Sequence, residues 1–176
     1  MRKRKLSRNF FDRPTLTVAR ELVGKFLVRK IGEKTIFGMI TETEAYCGAD
    51  DKACHAYKGR TKRTEIMFGP SGHAYVYLIY GMYNCLNVVT EKKDYPAAVL
   101  IRGVKMEDNL NGPGKVCRGF KIDRGLNGED ITKSQNLWLE DRGSEFKPTQ
   151  IKKSKRIGVD YAEEYTSKLW RFWTEF

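Results

Sequence analysis

Two glutamates, Glu42 and Glu44, are the residues of this sequence best placed for acid–base chemistry. They lie near the end of 35-TIFGMITETEAY-46, a segment typical of a β-strand. Strand periodicity puts both carboxylates on one face, about 7 Å apart along the chain. A carboxylate on the apolar side of a sheet must be hydrogen-bonded, ion-paired or protonated, which makes the pair a candidate for acid and base work. Glu44 is favoured because Tyr46 is placed to line a pocket beside it, although a strand end facing solvent also fits.

An arginine on a second strand is the candidate partner of these carboxylates. Arg102 lies in the strand-like segment 97-AAVLIRGV-104 and shares a face with Ala98 and Leu100. Its guanidinium therefore starts from an apolar surface and needs an acidic partner. An arginine that keeps a carboxylate ionised is what a general base requires. The alternative is an arginine that reaches water from a strand end.

Aromatic residues supply the candidate binding groups. The stretch 73-HAYVYLIYGMYNCLNVVT-90 predicts a β-hairpin that turns at Tyr80. Tyr77 lies on a strand face that more often belongs to a core than to a binding surface. Tyr80 differs, because a turn tip gives a ring little to pack on, and proteins that distort DNA insert wedges from such places. A Tyr80 ring that packs on Met82 remains the alternative. His55 is either structural or placed to stack on a planar ligand.

Charge and composition favour a nucleic-acid partner. The chain has 176 residues and a net charge of +11, from 33 Lys and Arg against 22 Asp and Glu. Nucleic acid fits this balance better than a membrane surface, since no strongly amphipathic basic helix is evident. Residues 1–8, MRKRKLSR, predict a basic arm that touches a polyanion or frays into solvent, not a secretory signal. No segment approaches the roughly 18 apolar residues of a membrane span.

The cysteines argue against a metal site. The four cysteines are Cys47, Cys54, Cys85 and Cys117. They form no CxxC pair, and only two histidines accompany them, so zinc would need scattered ligands. We predict reduced, mostly buried thiols in an intracellular protein without a metal.

The pattern of elements predicts an α+β fold in one domain, residues 9–176, behind the basic arm. The predicted strands are 25–30, 35–46, 73–79, 84–90, 97–104, 136–140 and 169–173. The predicted helices are 17–25 with Thr17 as N-cap, a short helix after Pro113, and 161–169 with a capping box of Asp160 and Glu163. Strands that follow strands indicate antiparallel pairing, with helices toward the two ends.

Longer blocks of the sequence resemble a known family. The segments 42-ETEAYCGADDKACHAYKGR-60 and 66-IMFGPSGHAYVYLIYGMYNCLNVV-89 are similar to the alkyladenine (3-methyladenine) DNA glycosylases. Further matching pieces, in order along the chain, are 10-FFDRPTLTVARELVGKFLVR-29, 98-AVLIRG-103, 111-NGPGKVCRGF-120 and 157-IGVDYAEEYTSKLWRF-172. The resemblance covers nearly the whole chain beyond the basic arm. It implies a curved, mainly antiparallel sheet with a protruding β-hairpin and flanking short helices.

The resemblance also implies an activity and its catalytic residues. The family hydrolyses the N-glycosidic bond of alkylated or deaminated purines in duplex DNA and leaves an abasic site, with water as nucleophile and no metal or other cofactor. On this chain Glu44 corresponds to the general base and Arg102 to the arginine that positions the water. The backbone carbonyl of Val159 is the implied further contact to that water. A monomer that acts on one damaged purine is the expected state.

Four residues match the family's base-binding groups. The extruded base is expected between Tyr46 and His55 on one side and Tyr77 on the other. Asn87 corresponds to the residue that crowds the exocyclic amino group of guanine. An electron-rich slot suits a cationic alkylated purine, because a cation is attracted to the face of an aromatic ring.

The remaining matches concern DNA. Tyr80 corresponds to the intercalating tyrosine, with Met82 beside it in the hairpin. Arg60, Arg63 and Lys115 are the expected contacts to the phosphate backbone, which should make affinity fall with salt.

One departure and two other functions stay open. Only eight residues separate Arg102 from Asn111, where family members carry a longer, basic, largely helical insertion, so we expect a different set of DNA contacts. A DNA-binding module without catalysis and a glycosidase acting on free nucleosides are the alternative functions.

Overall fold

A computed structural model describes residues 3–143 and 146–175 of the chain. In this part of the chain, one domain is built around a single curled antiparallel sheet with short helices, so the predicted α+β fold is confirmed. The strands are β1 (Arg4–Lys5), β2 (Phe26–Ile31), β3 (Lys34–Cys47), β4 (Ala74–Ile79), β5 (Tyr83–Val89), β6 (Ala97–Lys105), β7 (Asn109–Asn111), β8 (Leu137–Asp141), β9 (Lys152–Ser154) and β10 (Arg171–Trp173). The α-helices are α1 (Arg8–Phe11), α2 (Thr15–Leu22) and α3 (Pro113–Gly119). Short 3-10 helices span His55–Lys58, Glu65–Phe68, Arg124–Leu126, Pro148–Gln150 and Glu163–Ser167.

The sheet places β3 among several partners. Its main order is β1-β8-β2-β3-β6-β5-β4, and β10 pairs with both β3 and β9 while β7 pairs with β6. Every pairing between these strands is antiparallel. The register of β3 against β6 is irregular between Ile40 and Thr43, just before Glu44. Glu44 therefore lies inside the sheet, opposite Leu100 on one neighbour and Arg171 on the other.

Alternation along the strands separates two apolar clusters. Val76, Val88 and Val99 belong to the main core, on which α2 also packs. Their neighbours Tyr75, Val89 and Ala98 belong to a second cluster, against which Tyr46 and Tyr77 pack. Because successive strand residues point to opposite faces, the second cluster lies on the other side of the sheet. The expected tyrosine face on β4 is therefore present, and it forms part of the wall of a cavity.

Two predicted helices differ from those observed. Helix α2 begins at Thr15, not after Thr17, because the Thr15 backbone N–H and hydroxyl both donate to the Glu91 carboxylate and satisfy the helix start. The predicted helix 161–169 is wrong beyond one 3-10 segment, Glu163–Ser167. Glu163 has a φ of 49°, in the left-handed region, which a right-handed helix with a capping box cannot accommodate.

Residues 4–8 of the predicted basic arm contact the rest of the fold. Arg4 and Lys5 pair with β8, and the Arg8 side chain donates to the carboxylate of Asp130. Strand β7 is not among the predicted strands, and the predicted helix after Pro113 is α3. None of the described helices is long and apolar enough to cross a lipid bilayer.

Candidate active site

A cavity of about 540 Å³ opens on the side of the sheet opposite the main core. Its size lies within the range of pockets that hold small molecules. Strands β4, β5 and β6, the 3-10 helix at His55, the start of α3 and the segment 157–161 form its walls. Its lining includes Tyr46, His55, Tyr75, Tyr77, Tyr80, Asn87, Leu100, Arg102, Lys115, Arg118, Ile157, Val159 and Tyr161. Most of the residues expected at the site are therefore brought to one cavity.

Glu44 lies directly behind this lining, with a side chain that is 0% exposed. One carboxylate oxygen, Oε2, accepts a hydrogen bond from the Tyr46 hydroxyl at 2.8 Å. The other, Oε1, accepts from the Ile157 backbone N–H at 2.7 Å and is 3.4 Å from Arg102 Nε. A carboxylate offers about four lone-pair positions, so these contacts leave capacity for a further donor.

The surroundings of Glu44 act on its pKa in opposite directions. Burial raises the pKa, while Arg102, the Ile157 N–H and the Tyr46 hydroxyl lower it, and the net shift is upward. Burial and the adjacent Glu44 also raise the pKa of Tyr46 well above its ordinary value, so its phenol stays protonated and keeps donating. A carboxylate with a raised pKa is a stronger proton acceptor near neutral pH than an exposed glutamate.

Glu42 and Glu44 share the guanidinium of Arg102, as the strand periodicity predicts. Arg102 Nε donates to Glu42 Oε1 at 3.0 Å, closer than its 3.4 Å approach to Glu44. Arg171 Nε lies 3.1 Å from the same Glu42 oxygen. The side chains of Glu42 and Arg102 are mostly buried, so this is an interior network and not a solvated strand end.

The aromatic rings differ in one respect from the expected arrangement, in which Tyr46 and His55 lie on one side of the base and Tyr77 on the other. Tyr46 and Tyr77 both line the cavity. His55 meets Tyr77 edge-on, with ring centroids 4.5 Å apart and planes at 73°, and its Nδ1 shares a hydrogen bond of 2.9 Å with the Tyr75 hydroxyl. That direct contact leaves no room for a base between His55 and Tyr77, so His55 lies beside Tyr77 and not opposite it. Asn87 is buried, and its amide donates to the Tyr75 carbonyl at 3.1 Å.

Burial and the nearby Arg63 lower the pKa of His55 to about 4. The imidazole is therefore neutral at pH 7. A folded-state pKa below the unfolded value means that protonation favours unfolding. The stability that the neutral ring contributes is complete above about pH 6.5 and is lost as the pH falls toward 4.

Replacing His55 with glutamine is expected to flatten this acid dependence. As the pH falls below about 6.5, protonation of His55 should lower the wild-type free energy of unfolding by up to roughly 1.4 kcal/mol per pH unit. The variant should lack this contribution to the pH dependence of its stability. Urea unfolding of both proteins at pH 7 and pH 5 measures the difference. Equal slopes in the two proteins would contradict the lowered pKa.

The hairpin tip presents Tyr80 to solvent. Tyr80 is 83% exposed, and Met82, two residues further on, is also exposed. Tyr80 and Gly81 have φ values of 52° and 69°, the backbone region of a tight hairpin turn. A left-handed conformation is unfavourable for a tyrosine by roughly 1–2 kcal/mol, and such strain is concentrated at functional sites. The high exposure does not support the alternative that Tyr80 packs on Met82.

The expected phosphate contacts fall into two groups. Lys115 lies in α3 and lines the cavity with an exposed side chain. Arg60 and Arg63 lie outside the lining. Arg60 forms ion pairs with Glu65 and Asp94, so much of its charge is already compensated, whereas the Arg63 guanidinium lies 5.2 Å from the centre of the Tyr77 ring.

The structure does not favour Val159 as a contact for the attacking water. Its carbonyl already accepts hydrogen bonds from the Ala162 N–H at 2.9 Å and from the Thr166 hydroxyl at 3.2 Å. These two donors match the two lone pairs of a carbonyl oxygen. In the same segment, the group that contacts Glu44 is the backbone N–H of Ile157.

A buried ion pair behind Tyr46 was not predicted from the sequence. Arg156 donates to both oxygens of the Asp51 carboxylate, at 2.6 and 2.8 Å, and both side chains are 0% exposed. The Arg156 guanidinium lies 4.8 Å from the centre of the Tyr46 ring and donates to the Ala45 carbonyl. The acidic turn that contains Asp51 was visible in the sequence, but a basic run gave no sign that Arg156 would be interior.

Comparison with known proteins identifies the family of this chain. The sequence profile described as Methylpurine-DNA glycosylase (MPG) matches residues 9–175, almost the whole chain. This chain belongs to the methylpurine-DNA glycosylase family. It is accordingly a DNA glycosylase, a hydrolase of N-glycosyl bonds that takes part in DNA repair, as the sequence resemblance implied.

Curated relatives of this glycosylase align over nearly its full length. A relative from Methanocella arvoryzae is 52% identical over 185 residues, covering 96% of this chain and 91% of the relative. Relatives from Natranaerobius thermophilus and Legionella pneumophila (strain Corby) are 45% and 48% identical over 188 and 174 residues, covering 96% and 97% of this chain and 94% of each relative. All three carry the name "Putative 3-methyladenine DNA glycosylase". The two longer alignments exceed the 176 residues of this glycosylase, so those relatives contain residues that have no counterpart here.

The site of this glycosylase holds no cluster of metal ligands among residues 3–143 and 146–175. Cys54, Cys85 and Cys117 are buried and Cys47 is partly buried, and all four are free thiols. Burial raises the pKa of Cys47, Cys54 and Cys117 to about 12 in each case, so these thiols stay protonated and unreactive.

Proposed function

We propose that this glycosylase excises 3-methyladenine and related alkylated or deaminated purines from duplex DNA. The damaged nucleotide is flipped into the cavity, and a water activated by Glu44 hydrolyses its glycosidic bond and leaves an abasic site. The observation that carries the proposal is the position of a buried, hydrogen-bonded Glu44 directly behind the lining of an aromatic cavity that also includes an exposed tyrosine, Tyr80. Such an enzyme works inside the cell with the DNA, and a site contained in one chain functions as a monomer.

The contacts of Glu44 support a role as general base. As the base departs with the electrons of the glycosidic bond, positive charge develops on the sugar, and a nearby carboxylate stabilises it. Water then adds to the sugar carbon, and its proton passes to Glu44. Arg102, 3.4 Å from that carboxylate and exposed to the cavity, is placed to orient the water and to stabilise the ionised form. The hydroxyl that remains from the water stays on the sugar carbon of the abasic site.

The aromatic lining supports selectivity for damaged purines. Alkylation at N3 or N7 makes a purine cationic, and the lining includes Tyr46 and Tyr77, whose rings are of the kind that attracts cations. Neutral His55 adds no opposing charge, since its pKa of about 4 keeps it unprotonated at pH 7. Asn87, held by the Tyr75 carbonyl, is a fixed group that can exclude the exocyclic amino group of normal guanine.

The exposed hairpin tip supports base flipping. An extruded nucleotide leaves a gap in the duplex, and flipping costs a few kcal/mol, least at damaged sites. Tyr80 is presented on a tight turn with its ring free of the domain, so it can enter that gap. Met82, exposed in the same hairpin, adds apolar surface beside it.

Replacing Tyr80 with serine is expected to weaken binding to lesion-containing duplex DNA by roughly tenfold, because a base–aromatic stack contributes about 1–3 kcal/mol. The salt dependence of binding to undamaged DNA should not change, since Tyr80 carries no charge. Fluorescence anisotropy at several salt concentrations measures both quantities.

Lys115→Gln is the matched control for Tyr80→Ser. It should reduce the slope of log affinity against log salt concentration by about one, while the preference for lesion-containing over undamaged DNA is kept. Unchanged lesion affinity in Tyr80→Ser would make Tyr80 a surface residue without a role in flipping.

The proposed function is tested by release of free base from methylated duplex DNA, with chelator present. We expect 3-methyladenine in solution and an alkali-labile abasic site in the DNA, and no release from the corresponding free nucleosides. DNA binding without release would indicate a noncatalytic binding module. Equal release from nucleosides would indicate a nucleosidase, for which the basic surface and Tyr80 have no purpose.

A further inference from the structure

Exposed apolar residues at the cavity come from two separate parts of the chain. One is the hairpin tip with Tyr80 and Met82. The other is the segment 156–162, in which Ile157 is 49% exposed and Tyr161 is 67% exposed, and both line the cavity. Exposed apolar groups gathered at a concave site mark a surface that binds something. The proposed function gives a role to the hairpin side alone.

The segment 156–162 is fixed in place before any ligand binds. Arg156 anchors its start to Asp51 in the buried ion pair. The Val159 carbonyl accepts from two donors within the same part of the chain. The Tyr161 hydroxyl points toward the Ala53 carbonyl, 3.5 Å away, so its ring lies along the wall of the cavity. A pre-ordered aromatic ring loses little conformational entropy when a flat ligand packs on it.

The charges around the cavity indicate what packs there. Among the described lining residues, Arg102, Lys115 and Arg118 are basic and none is acidic. A cationic surface combined with exposed aromatic rings is how proteins bind unstacked nucleotides, with phosphates on the cations and bases on the rings. An apolar protein partner would not require these cations, and the chain as a whole carries a net charge of +11.

We propose that Tyr161 is a second stacking surface for DNA, which packs on an unstacked nucleobase of the lesion strand at the cavity. This inference rests on the proposed function for the identity of the strand. Tyr80 fills the gap in the duplex, and Tyr161 holds a base that the distortion has released. Both rings therefore contact the lesion strand.

The same segment links this contact to Glu44. Ile157 lies four residues before Tyr161, and its backbone N–H donates to Glu44 Oε1. DNA that packs on Tyr161 and Ile157 therefore contacts the same pre-ordered segment that donates to the Glu44 carboxylate.

The test compares Tyr161→Ser and Tyr161→Phe, with Phe37→Ser as a control. Phe37 is a comparably exposed ring on β3 outside the cavity lining. The probe is a duplex with a stable abasic-site analogue and 5-iodouracil on one or the other side of it. We expect Tyr161→Ser to bind about tenfold more weakly, as for loss of one base stack, while the other two variants bind like the wild type. Photocrosslinking should map to Tyr161 in the wild type and disappear in Tyr161→Ser.

The outcomes separate this inference from the proposed function. Wild-type binding in Tyr161→Ser, or a crosslink absent from Tyr161, overturns the stacking contact even if the enzyme releases damaged bases. An equal loss in Tyr161→Phe also overturns it, since the hydroxyl contact with Ala53 would then be the cause. The abasic analogue needs no catalysis, so a mapped crosslink supports the contact even if the wild type released no base.

Discussion

Replacing Glu44 with glutamine is expected to slow base release from methylated DNA by about 10²- to 10⁴-fold, the usual contribution of a general base. Binding to lesion-containing DNA should be kept, because the cavity walls and Tyr80 are unchanged. Single-turnover release measures the chemical step, and anisotropy measures binding. Retained turnover in Glu44→Gln would contradict the role of this carboxylate.

Glutamine suits this position because it keeps the hydrogen bonds that hold the residue. Its amide oxygen can accept from the Ile157 N–H, and its NH₂ group can donate to the Tyr46 hydroxyl oxygen, in place of the two bonds of Glu44. The fold is therefore preserved while the proton acceptor and the negative charge are lost. A slow variant with wild-type thermal stability isolates the chemistry.

Glu42→Gln is the matched control two residues away. Glu42 contacts Arg102 and Arg171, whereas the Tyr46 hydroxyl and the Ile157 N–H both donate to Glu44, so the loss of Glu42 leaves the proposed base and these two contacts in place. Its charge raises the pKa of Glu44, and removing that charge lets Arg102 interact more fully with Glu44. We expect a much smaller change in rate than for Glu44→Gln. Equal losses in the two variants would mean that the network as a whole, and not one base, supports turnover.

Strand alternation was enough to predict the centre of this site. A period of two placed Glu42 and Glu44 on one face and Arg102 on the facing strand, and the three side chains do meet. Alternation could not show that Arg102 lies nearer Glu42 than Glu44, because an irregular register just before Glu44 sets that distance. The choice of Glu44 came from its neighbour Tyr46 and from the family resemblance.

The structural features that were not predicted from the sequence depend on contacts between segments that are far apart in the chain. The sequence from Asp160 to Leu169 has helical periodicity, but Lys52 binds the carboxylates of Glu163 and Glu164, and the chain there turns through a left-handed residue. An ion pair between residues this far apart in the chain leaves no pattern in the local sequence. The Ile157 N–H that contacts Glu44 was invisible for the same reason, since any residue supplies a backbone N–H.

The ion pair between Asp51 and Arg156 connects this distant segment to the aromatic wall. Arg156 touches the Tyr46 ring, the Ala45 carbonyl and Asp51, while Asp51 also accepts from the backbone N–H groups of Cys47 and Ala53. The pair thereby holds together the residues on both sides of Tyr46 and the start of the segment that carries Ile157. Loss of either charge would loosen a wall of the site and leave the other charge buried.

Asp51→Ala is expected to lower the free energy of unfolding by about 3–5 kcal/mol, because the Arg156 cation would stay buried without a partner. For a chain of this size, each kcal/mol shifts the melting temperature by about 2–4 °C, so the midpoint should fall by roughly 10 °C. Thermal unfolding followed by circular dichroism measures it. Lys52→Ala, at the adjacent residue with its ion pairs at the surface, should leave the midpoint nearly unchanged.

The double variant Asp51→Ala with Arg156→Met distinguishes two causes of lost stability, the unpaired charge of Arg156 and the loss of packing around it. Methionine keeps much of the apolar volume beside Tyr46 and removes the cation, so the double variant should be more stable than Asp51→Ala alone. Base release should stay low in both, since neither variant retains the bidentate contact that fixes the residues around Tyr46. A double variant less stable than Asp51→Ala would mean that Arg156 stabilises the fold through its contacts with Tyr46 and Ala45 more than through Asp51.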